Sequence, residues 1–136
     1  MNWLFQSVPK RCNLAERMRQ GETETWLVTR YMDEIKRGDL VFLWMGGPPE
    51  VRGLYGWGRT VSDAPSYFKG WGFGVDVLYE RKFTSHIPFD IVKALPTLTE
   101  YILFRMAVGT NFRLSEEQTS DLKRLIADTF GVGEAP

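Results

Sequence analysis

The chain has 136 residues, a length suited to one domain that buries roughly two-thirds of its unfolded surface without disulfide or metal staples. Its 17 basic and 17 acidic residues cancel, which excludes a bulk polyelectrolyte binder while leaving room for a local basic face. Cys12 stands alone, so no internal disulfide forms and a reducing, cytoplasmic setting is expected; no apolar run approaches membrane-spanning length.

In chain order, Trp3 to Gln6 predicts a first strand, ended by Pro9. Asn13 caps a short helix that carries Leu14, Ala15 and Met18 on one side, and Gly21 stops it. Trp26 to Val28 is a strand or a loop crossing the core, and Tyr31 to Lys36 reads as one or two helical turns. Arg37 to Asp39 is a turn. Leu40 to Met45 is apolar at every position and predicts a central strand covered on both faces. Arg52 to Val61 follows as a strand whose Gly53, Gly56 and Gly58 allow close approach by another backbone or a planar ligand.

Ser62 to Gly70 is read as a loop, and Trp71 to Phe83 as a long strand with Trp71, Phe73, Val75, Val77 and Tyr79 on one face. Pro88 opens a short helix, and Leu98 to Phe104 is expected to pack on the small curved barrel that the strands form. The last helix is the clearest: Ser115 and Gln118 form a capping box, Leu122, Leu125, Ile126 and Phe130 repeat at helical spacing, and Gly131 ends it. A single domain over 1–130 and a disordered tail or linker over 131–136 follow.

Catalytic chemistry finds little footing. There is no phosphate loop, no cofactor motif and no metal-ligand spacing, and Cys12 with His86 is the only Cys/His pair. Glu116 and Glu117 complement the dipole of the helix they open. The aromatic residues are more informative: five Trp exceed what a core of this size needs, since indoles are hard to bury completely. Core packing accounts best for Trp3, Trp57 and Trp71. Trp26 stands instead beside the polar group Thr29, Arg30 and Tyr31, and Trp44 is divided between the two roles. Rings of this kind stack nucleobases at about 1–3 kcal/mol each. The cluster Lys10, Arg11, Arg17 and Arg19 is either a solvated helix face or a phosphate-binding rim.

The order of these segments resembles the EVE domain, a member of the PUA-like, YTH-like superfamily. Trp3 to Pro9 resembles the family's opening W-L-x-K-S-x-P strand, and Trp26 to Tyr31 its tryptophan segment. Ile35 to Phe42 matches the K-x-G-D-x-V turn and strand, Arg52 to Gly58 the glycine strand after it, and Lys69 to Val77 the K-G-x-F-x-V strand of YTH domains. Gln6 and Val8 depart from the lysine and glutamate that many EVE domains carry.

The resemblance implies an α+β fold: a small PUA-like curved β-barrel of five to six strands, flanked by short helices and a C-terminal helix. It also implies a non-catalytic reader, without cofactor or metal and acting as a monomer, that binds a flipped modified base in an aromatic pocket. The base would be 5-methylcytosine, 5-hydroxymethylcytosine or N6-methyladenine in DNA, with a fused or associated nuclease as partner in modification-dependent restriction. By that match Ser7, Trp26, Thr29, Tyr31 and Trp44 line the pocket, and Lys10, Arg11 and Arg30 meet phosphates. Asn111 reaches the pocket or turns the chain after Gly109, and Arg105 joins the backbone contacts. An RNA-binding PUA-like module and a small enzyme acting on nucleotides are the alternatives.

Overall fold

The computed structural model describes residues 1–63, 66–68, 72–105 and 109–136, with 66–68 and 105 described in their backbone only. Seven strands form one curled sheet: β1 (Asn2–Ser7), β2 (Thr23–Val28), β3 (Leu40–Met45), β4 (Gly53–Thr60), β5 (Ser66–Phe68), β6 (Gly72–Pro88) and β7 (Asn111–Leu114). Their order is β2-β6-β4-β3-β1-β7, with the short β5 added to β6. The helices are α1 (Leu14–Arg17), α2 (Phe89–Lys93), α3 (Ile102–Arg105) and α4 (Glu116–Phe130). No helix among the described residues is long and apolar enough to cross a membrane.

The unbroken apolar run of β3 has a plain cause: the strand is central and feeds two cores. Leu40, Phe42 and Trp44 join a cluster with Leu122 and Ile126 of α4 and Val92 of α2. Val41, Leu43 and Met45 face the other way, into a cluster with Trp3, Phe5, Trp26, Tyr79, Leu14 of α1 and Met18 just after it. Side chains alternate across a strand, so neighbours along β3 are assigned to opposite faces.

The glycine strand serves the close approach of a backbone. A Cβ at Gly56 would lie 2.1 Å from the Arg81 carbonyl oxygen, and one at Gly58 the same distance from that of Leu78. The β4–β6 register shifts at both places, so β6 bends over β4 and the sheet curls. The turn before β3 is held by Asp39, whose buried carboxylate accepts from Trp3 Nε1 and from the Lys36 amide, both at 2.9 Å. The expected helical turns at 31–36 are hydrogen-bonded turns only.

Ser115 and Gln118 form the expected capping box, and Pro88 precedes α2. Two strands lie where none was expected, β5 within the predicted 62–70 loop and β7 within the polar stretch before α4. The 131–136 segment, expected as a disordered tail or linker, contacts the sheet. It makes a 3-10 turn over Val132–Glu134, Trp57 Nε1 donates to the Glu134 carbonyl at 2.8 Å, and Arg81 pairs with the Glu134 carboxylate at 3.3 Å. An indole N–H at a core boundary needs an acceptor, and this turn supplies it.

Asp39→Ala leaves the fully buried Trp3 indole N–H and the Lys36 amide without their acceptor. A loss of about 2–4 kcal/mol in urea unfolding is expected, against about 1 kcal/mol for Trp3→Phe.

Candidate functional site

The two outer strands of the sheet, β2 and β7, meet at one corner, and a side chain rather than a ladder joins them. Asn111, the first residue of β7, is 1% exposed. Its Oδ1 accepts from the Thr29 amide at 2.8 Å, and its Nδ2 donates to the Leu27 carbonyl at 3.1 Å. Beside this bridge the end of β1 is drawn to the same corner: the Gln6 amide donates to the Thr110 carbonyl at 2.7 Å, and Gln6 Nε2 donates to the Gly109 carbonyl at 2.9 Å.

A cleft of about 330 Å³ opens there, lined by Gln6, Ser7, Val8, Arg11, Leu27, Thr29, Gly109 and Thr110. That volume falls at the lower end for a small-ligand pocket. Val8 and Leu27 give apolar surface, Gln6, Ser7, Thr29 and Thr110 give uncharged polar groups, and Arg11 is the one charged residue of the lining. Ser7 Oγ spends its proton on the Cys12 carbonyl at 2.9 Å and so keeps acceptor capacity. The Thr29 side chain is exposed and makes no hydrogen bond to another described residue. Lys10, Arg11 and Arg30 are exposed around this corner, and none has an acidic partner among the described residues.

Of the residues picked out from the sequence, Ser7, Thr29 and Arg11 line this cleft, and Asn111 stands behind it with both ends of its amide committed to backbone. The rings do not converge on it. Trp26 is 7% exposed, donates Nε1 to Tyr79 Oη at 2.9 Å and packs on Phe5 with centroids 6.0 Å apart. Tyr31, at φ 59°, lies between Trp3, 5.2 Å away, and the Arg113 guanidinium, 4.6 Å above its ring. Trp44 is fully buried in the other core, 5.4 Å from Phe104 and 6.2 Å from Phe89. The strand alternation that buries β3 on both faces separates Trp44 from Trp26. Trp71 and the side chain of Arg105 lie outside the described residues.

Gln6 and Val8 were noted from the sequence only as departures from the family pattern, and neither they nor Leu27 were assigned to the site. A signal existed for Gln6: it is the one polar residue among Trp3, Leu4, Phe5 and Gln6, and a polar side chain in a central strand calls for a fixed partner.

The EVE domain family model matches residues 1–125. The chain belongs to the EVE domain family. Solved structures agree in fold. The DUF55 domain of human thymocyte nuclear protein 1 is 17% identical, with 92% of this chain and 98% of that one aligned at a TM-score of 0.69. Human THYN1 in complex with DNA containing 5-methylcytosine is 18% identical over 91% and 96%, at 0.67. A Pseudomonas putida protein is 18% identical over 92% and 99%, at 0.70. A search of curated proteins finds no match. In this EVE domain the curled sheet of the family is thus present, together with a polar cleft at the corner where its outer strands meet.

Asn111→Ala removes both bonds across that corner. A loss of about 2–4 kcal/mol is expected by urea unfolding, with the largest gain in amide exchange at Thr29. Cys12, next to the cleft, has its thiol pushed up by burial and by Glu24. Its alkylation by iodoacetamide therefore rises with pH around a midpoint above that of free cysteine, because less thiolate is present at any lower pH.

Proposed function

We propose that this EVE domain is a non-catalytic reader that admits one flipped, modified base of a nucleic acid, such as 5-methylcytosine in DNA, to the cleft between β1, β2 and β7. The observation that carries the reading is the juxtaposition at this one corner. A cleft with apolar walls and mostly uncharged polar groups has Arg11 in its lining and Lys10 and Arg30 beside it, all three without acidic partners among the described residues. Uncharged groups suit a base edge, and unpaired cations suit phosphates. Flipping a base costs a few kcal/mol, which enclosure and phosphate contacts offset. Human THYN1, which shares the fold, has been solved with DNA containing 5-methylcytosine.

Ser7 and Thr29 are the base-edge contacts in this reading, Asn111 holds the wall, and Arg105 extends the phosphate rim. Trp26 supports the cleft from behind. Two features speak for binding without turnover. His86 is stacked on Tyr55 at 4.8 Å, and the Cys12 thiol is shifted away from its nucleophilic form. A reader of this kind acts through a partner, and a fused or associated nuclease in modification-dependent restriction is the role we assign.

Fluorescence anisotropy on oligonucleotides that differ in one base modification tests this. Micromolar binding to the preferred modified DNA is expected, weakening as salt rises. The triple variant Lys10→Ala, Arg11→Ala, Arg30→Ala should lower the log–log salt slope by about 2–3, at roughly 0.9 per phosphate contact. Thr29→Val should reduce preference for the modification and leave that slope alone. Equal affinity for modified and unmodified strands would sink the reader reading, and a matched RNA bound more tightly than DNA would move the ligand to RNA.

A further inference from the structure

Gln6 lies in the wall of the cleft, yet only one end of its amide is used. Nε2 donates to the Gly109 carbonyl at 2.9 Å. A backbone carbonyl cannot donate, so the atom facing it must be the NH₂ group, and this decides which way the amide points. The carbonyl end, Oε1, is turned away from Gly109. No described residue donates to it, and it is not fully sealed from solvent.

The side chain is otherwise 6% exposed. It has little freedom to reverse, because the Gln6 amide is itself bonded to Thr110 and β1 runs between β3 and β7. Gly46 makes the space for this placement: a Cβ there would lie 2.6 Å from Oε1 and 3.3 Å from Cδ.

We infer that Gln6 sets the base specificity of the cleft, its fixed carbonyl oxygen selecting a base that presents an exocyclic amino group over one that presents a carbonyl at the same place. This rests on the reading of the cleft as a base pocket and deepens it. Cytosine and adenine types carry the amino donor, while thymine and uracil types carry an acceptor that would face Oε1 across unfavourable like partial charges. A site built around one hydrogen bond rejects the analogue that lacks it, since the buried polar group is then left unpaired. Selection would thus have two parts, Gln6 for the amino group and the rest of the cleft for the modification.

The matched pair 5-methylcytosine and thymine isolates the first part, because both carry the 5-methyl group. Single-stranded oligonucleotides differing only there would be titrated against the full chain by anisotropy, with the unmodified cytosine strand alongside. The expected result is at least about tenfold tighter binding to 5-methylcytosine than to thymine. Gln6→Lys, which replaces the acceptor with a donor, should erase or reverse that ratio. Gly46→Ala keeps Gln6 but displaces Oε1, and should reduce the ratio at least threefold while thermal unfolding stays cooperative. Should Gln6→Lys fail to fold, Gly46→Ala alone decides.

If 5-methylcytosine and thymine bind equally while both exceed cytosine, the inference about Gln6 is overturned and the reader reading stands. If the three strands bind alike, the reading of the cleft itself fails.

Discussion

The amide of Asn111 is the join on which the site depends. β2 and β7 are the two ends of the strand order, and each would leave a row of backbone groups unpaired. Asn111 answers with one donor and one acceptor, spanning Leu27 and Thr29 as a short stretch of ladder would. Gln6 repeats the device one strand over by reaching the Gly109 carbonyl. Two side-chain amides therefore close the corner where regular strand pairing stops. Two walls of the cleft are thus fixed to backbone through the amides of Asn111 and Gln6.

The curl that brings those strands together originates elsewhere, in the contact between β4 and β6. Gly56 and Gly58 let carbonyls of β6 approach to distances no side chain would permit, and the two register shifts turn the strand. The sheet then has a helix-covered core on one face and an enclosed core on the other. Most of the aromatic excess is spent on those two cores. The indole N–H groups show how: Trp3 donates to Asp39, Trp26 to Tyr79 and Trp57 to Glu134, while Trp44 is buried without a partner among the described residues.

Charge is neutral in sum and uneven in place. Asp39 serves the Trp3 turn, Glu34 and Glu80 pair with Arg113 and Arg59, Glu134 pairs with Arg81, and Asp121 pairs with Arg124. These acids are committed to cations and donors away from the cleft. Lys10, Arg11 and Arg30 have no acidic partner among the described residues, so a formal charge of zero is compatible with a locally basic corner.

Periodicity and local chemistry were sufficient for much of the fold. The capping box of Ser115 and Gln118, the two-faced run from Leu40 to Met45 and the turn at Gly38 and Asp39 all follow from short-range rules, and the ordered motifs together pointed to the EVE family. Ser7, Thr29 and Arg11 could be placed near one site through that resemblance. Which way a ring or an amide faces is a different kind of fact. Trp26 and Trp44 are both indoles on sheet strands, and only strand alternation within a two-sided sheet sends them to separate cores. Asn111 and Gln6 are 105 residues apart in number, and nothing in the local sequence of either says that each will meet a backbone carbonyl at the same corner. The sequence by itself determined the longer strands, the caps and the turn, because those depend on neighbours a few residues away, while the short β5 and β7 exist only through their pairing partners. The closed corner and its cleft were decided by tertiary structure, because they depend on pairings between segments that only the curl of the sheet brings together.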